Sequence, residues 1–134
     1  MAQPQGNKIS GAGRIDGSLC KSAPAAASFD LGAGWGDGTL VVTVAEGSTD
    51  QRGSVSIKSV GSNQAQATAT VEMTFADGAY ADTPFAIVNL TDNDNAVTTA
   101  QPQDVTATTT ALSWTQAVLP VANKTYTFTW LVIA

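Results

Sequence analysis

From Thr125 to Trp130, threonines at 125, 127 and 129 alternate with Tyr126, Phe128 and Trp130, the period-two pattern of a strand with one hydroxyl face and one aromatic face. A helix does not place every second residue on a common side, so this stretch commits its part of the chain to a sheet. The alternation then stops. Leu131, Val132 and Ile133 are apolar on both sides, one residue before Ala134. A strand apolar on both faces has to be covered on both, by its own domain or by another copy of the chain. The expectation is a protein suited to assembly rather than catalysis.

The remaining sequence agrees with a sheet. Glu occurs only at Glu46 and Glu72, and 13% of residues are charged, which is poor material for helices. At 134 residues the chain is one domain by length, able to bury roughly two-thirds of its unfolded surface. Alternation and turn residues predict strands over Leu40 to Ala45, Ser54 to Val60 with Val55 and Ile57 inward, Gln66 to Phe75, Phe85 to Leu90 as a more buried strand, Gln103 to Thr109, Ala111 to Ala117, and the final one, with a short edge strand at Val97 to Thr99. Gly, Asn, Asp and Pro punctuate them. The fold class is all-β, an antiparallel β-sandwich of jelly-roll or Greek-key type.

Residues 1–38 contain eight of the twelve glycines and little sustained periodicity. They are expected to form an extended, flexible N-terminal arm that borrows its order from a neighbour, with the sandwich over residues 39–134. On that division, deleting residues 1–35 leaves the sandwich folded. Within the arm, Trp35 among glycines reads as a core or interface plug, and less readily as a sugar-stacking platform.

Chemistry is hard to assemble from these residues. Histidine is absent, which removes the commonest general base and metal ligand. Asp92, Asp94 and Asp104 are the acids available to pair for glycoside hydrolysis, but aspartates in turns generally serve local hydrogen bonds. The glycine-rich residues 32–38 lack the Gly-Lys-Ser/Thr of a phosphate loop. Asp92-Asn93-Asp94-Asn95 opens like a calcium loop, yet Val97 and Gln103 stand where the EF-hand needs Gly and Glu, so no metal or other cofactor is expected. A net charge of −5 and six scattered basic residues argue against a nucleic-acid or anionic-membrane partner. Cys20, the sole cysteine, excludes an intrachain disulfide and is read as a small buried hydrophobe or an intermolecular bridge. The N-terminus lacks the apolar run of a signal peptide, which suggests synthesis and retention in a host cytoplasm. The tripeptides Asn89-Leu90-Thr91 and Asn123-Lys124-Thr125 therefore carry no weight as glycosylation sites.

Four blocks, Thr70 to Phe75, Thr83 to Asn89, Asp104 to Thr110 and Tyr126 to Ile133, resemble β-sandwich domains of tailed-bacteriophage virion proteins. The resemblance spans roughly residues 53–134. In such families these sandwiches end tail fibres or serve as capsid decoration (cement) proteins, frequently as trimers. The resemblance implies a non-enzymatic virion structural protein that self-associates, as a homotrimer, and binds the major capsid protein. A fibre-like shaft does not precede residue 39, which favours decoration over a fibre tip. Arg14, Asp16, Leu19, Phe29, Leu31 and Trp35 are then candidates for capsid contact, and Leu131, Val132 and Ile133 for the subunit interface. The alternative is a host-recognition adhesin at a tail-fibre tip, contacting a cell-surface glycan through Tyr80, Asp92, Asn93, Asp94 and Asn95. A third reading, an accessory module of an enzyme, rests on fold alone.

Overall fold

The computed structural model describes residues 22–92 and 101–134. Among the described residues eight strands follow one another as β1 (Phe29–Leu31), β2 (Val41–Val44), β3 (Arg52–Lys58), β4 (Thr70–Thr74), β5 (Phe85–Asp92), β6 (Gln103–Ala107), β7 (Ala111–Thr115) and β8 (Thr125–Ile133). They form two antiparallel four-stranded sheets, ordered β1-β4-β7-β6 and β2-β3-β8-β5. Only β2 with β3 and β6 with β7 are consecutive strands that pair; every other connection crosses between sheets. The result is the expected all-β sandwich.

Its core is the sum of inward-facing alternate positions. Val55 and Ile57 of β3, Val88 and Leu90 of β5, and Tyr126, Phe128, Trp130 and Val132 of β8 meet Val71 and Met73 of β4 and Leu112 and Trp114 of β7. The final strand faces as its alternation predicts, with the aromatics inward and the threonines half-exposed outside. Phe128 packs against Trp114 with ring centroids 5.5 Å apart, and Phe29 packs against Trp130 at 5.9 Å. Each such fully buried side chain contributes about 1.5–3 kcal/mol relative to exposure.

The sandwich begins earlier than residue 39. Phe29 to Leu31 pair with Met73 to Val71 as an edge of the first sheet, and the Ser22 N–H donates to the Asp77 carboxylate at 3.1 Å. The glycine-rich residues 32–38 are not a free loop either. Trp35 is fully buried, its indole N–H donating to the Thr70 carbonyl at 3.0 Å and its ring 5.6 Å from Tyr126 and 6.1 Å from Phe128. Gly34 allows that insertion. A Cβ there would lie 2.0 Å from the Ala65 carbonyl oxygen and 2.3 Å from the Ala69 nitrogen, both rigid backbone. Glycine serves close approach here, not mobility.

Two further strand expectations change. Gln66–Thr68 is a 3-10 turn rather than the start of β4; its backbone turns aside where Gly34 packs against it, and the Gln66 side chain bonds the Gln116 carbonyl at 3.0 Å. Phe85 to Leu90, expected to be a more buried strand, is an edge strand whose outer face is open: Phe85 is 82% exposed and Ile87 53%. The short strand expected at Val97 to Thr99 lies outside the described residues.

Candidate functional site

The open face belongs to the sheet β2-β3-β8-β5. Antiparallel register sets Phe85 opposite Ile133 and Ile87 opposite Leu131, and all four side chains point outward. Leu131 is 45% exposed and Ile133 53%. Directly opposed residues on one face stand about 4.5–5.5 Å apart, so the four make one continuous apolar corner where β5 begins and β8 ends. Arg52, opposite Leu131 on β3, borders it, and an open depression beside it is lined by Thr49, Gln51, Arg52 and residues 131–134. Further along the same face the pairs become polar: Asn89 with Thr129, Ser54 with Thr129, and Ser56 with Thr127, whose hydroxyls bond at 2.8 Å.

Of the three residues expected at a subunit interface, Leu131 and Ile133 are outside and Val132 is buried in the core at 2% exposure. The period-two alternation therefore continues to the end of β8, covered inside by its own sandwich and uncovered outside. Phe85 and Ile87 complete the corner and were not singled out in the sequence. Their signal was hidden because residues 85–88 are all apolar, so alternation cannot tell a strand covered on both faces from an edge strand with an apolar outer face.

The arm residues fare differently. Phe29 and Trp35 are core residues and so are withdrawn as capsid contacts, because neither offers a surface to a partner. Leu31 is half-buried against the same core. Arg14, Asp16 and Leu19 lie outside the described residues, as does Cys20. The candidate glycan residues do not converge. Tyr80 packs edge-on against Phe75 at 5.0 Å, its N–H donating to the Thr109 carbonyl, at the end of the sandwich where β5 starts. Asp92 closes β5 at the opposite end, and Asn93, Asp94 and Asn95 lie outside the described residues.

Acidic side chains are spent on turns. Asp50, 1% exposed, accepts from the N–H groups of Ala76 and Asp77 at 2.7 and 2.8 Å. Asp37 accepts from the Ser62 N–H and the Asn63 amide, each at 2.7 Å, and these bonds hold its carboxyl below the ordinary value by favouring the charged form. Among the described residues no three acidic, cysteine or histidine side chains gather as a metal site, and no helix is long and apolar enough to cross a membrane. No family model matches the chain, and no curated protein or solved structure is significantly similar to it.

Proposed function

We propose that this chain is a non-enzymatic structural protein of a bacteriophage virion, a capsid decoration protein that self-associates and attaches to capsid protein. The observation that carries the assembly part is the apolar corner of Phe85, Ile87, Leu131 and Ile133, four large side chains contiguous on an outer face. Scattered single apolar residues are ordinary on a protein surface, whereas a contiguous group marks a contact surface. The assignment to a virion rests on the resemblance of residues 53–134 alone. Decoration acts by mass action: a protein that binds the closed shell and not its open form stabilises the shell by its binding free energy, summed over many sites.

Cosedimentation with undecorated phage capsids tests the reading. Full-length protein is expected to pellet with capsids and to raise their resistance to heat; protein that stays in the supernatant at saturating capsid contradicts it.

A further inference from the structure

Self-association leaves open which surface joins the copies, and the backbone of β5 bears on that question. The Val132 N–H is used on the β3 side, donating to the Gln51 carbonyl at 2.7 Å. Its partner across the ladder, Ala86, therefore directs its own N–H and C=O away from β8, and by the two-residue repeat so do Val88 and Leu90. At Leu90 this free edge is closed: the Gln101 side-chain oxygen accepts from the Leu90 N–H at 2.8 Å and the Gln101 amide donates to the Leu90 carbonyl at 3.3 Å. Beyond the other end stands Pro84, which has no N–H to offer. Among the described residues nothing takes the outward groups of Ala86 and Val88. The open stretch is thus bounded on both sides and symmetric about Ile87.

We propose that this edge pairs with the same edge of a second copy, antiparallel and centred on Ile87; the proposal rests on the self-association reading above. In that register Ala86 of one copy faces Val88 of the second copy, and each donates one hydrogen bond and accepts one. Ile87 meets Ile87 of the second copy on the two-fold axis, and Phe85 lies opposite Asn89 of the second copy. Pro84 falls opposite Leu90 of the second copy, where neither residue has an N–H left to donate. Pairing therefore stops where the edge is closed.

The other three sheet edges are poor templates. β1 has three residues and β2 four, and β6 is interrupted between Gln103 and Thr106, with Asp104 at φ 54°. Short and bulged strands are the usual protection against edge pairing, and charge is another. β5 has eight residues, and none from 85 to 91 is charged. Asp82 and Asp92 flank the open stretch, and each copy carries a net charge of −5. Two copies repel at long range, so added salt strengthens this pairing, the reverse of its effect on an ion-paired interface.

Light scattering and amide hydrogen exchange on the full-length protein test the proposal together. The mass is expected to reach about twice 13.7 kDa, a two-fold pair being closed at two copies and so distinguishable from a trimer. The Ala86 and Val88 amides are expected to slow by about tenfold or more between dilute and concentrated samples, because only edge pairing covers them. Ile87→Lys, at an exposed position, is expected to give a monomer, and mixing it with Ile87→Glu is expected to restore the pair. A wild-type monomer at tens of micromolar, on the order of ordinary association constants, overturns both this proposal and self-association. An oligomer whose Ala86 and Val88 amides exchange at the dilute rate overturns the edge pairing and leaves self-association standing.

Discussion

Among the described residues, the polar side chains buried in this sandwich include one that holds a turn and one without a hydrogen-bond partner. Asp50 is the first. Its two oxygens satisfy consecutive N–H groups of the loop after β4, so Asp50→Ala is expected to cost about 1–3 kcal/mol in denaturant unfolding by removing two charge-assisted hydrogen bonds that hold that loop. Gln116 is the second. Its side chain is fully buried and neither amide atom has a hydrogen-bond partner among the described residues, although its backbone bonds Ala69 and Gln66. Gln116→Met keeps the volume and removes the desolvated amide, and is expected to raise the unfolding midpoint, by about 1 kcal/mol in stability. Tyr126 adds a pH dependence. Burial raises its phenol above the ordinary value, partly offset by the hydrogen bond accepted from Val121. A raised folded value means that the contribution is fully present below the unfolded pKa of about 10 and fades as pH rises through the folded one. Thermal melts of Tyr126→Phe are therefore expected to fall less steeply above about pH 10 than those of the wild type.

At the scale of elements, the strands of the sandwich were legible where hydrophobic alternation is clean. β8, β7, β3 and the inward residues of β4 follow the sequence pattern because a two-residue repeat has one solution when only one face is apolar. Gly32 to Gly38 escaped that reading. Composition alone equates glycine with flexibility, whereas Gly34 is fixed by backbone on its far side and Trp35 fills the core between Tyr126 and Phe128. Neither contact is local in sequence, so no window over residues 32–38 contains it. The consequence is a revised boundary experiment. Deleting residues 1–35 removes β1 and Trp35 together and is expected to unfold the sandwich, since loss of a buried Trp side chain alone costs about 3–5 kcal/mol. Circular dichroism checks this, and Trp35→Ala in the full chain isolates the plug. A truncated protein with native stability would restore the arm to residue 38.

For the whole molecule, the division between inside and outside was less legible than the strands themselves. β5 was visible as a strand, but its place at a sheet edge depends on a topology in which β8 pairs with both β3 and β5, and the apolar corner exists only because that pairing sets Phe85 and Ile87 beside Ile133 and Leu131. The double substitution Phe85→Thr/Ile133→Thr keeps strand-compatible side chains at two exposed positions and removes most of the corner. At dilutions where both proteins are monomeric its melting temperature is expected to stay close to the wild-type value, because neither residue contributes to the core. Sedimentation velocity across a concentration series is the most direct test: wild-type protein is expected to sediment increasingly as an oligomer while the double variant remains at about 13.7 kDa. Identical sedimentation of the two proteins would contradict the assignment of the corner as an assembly surface.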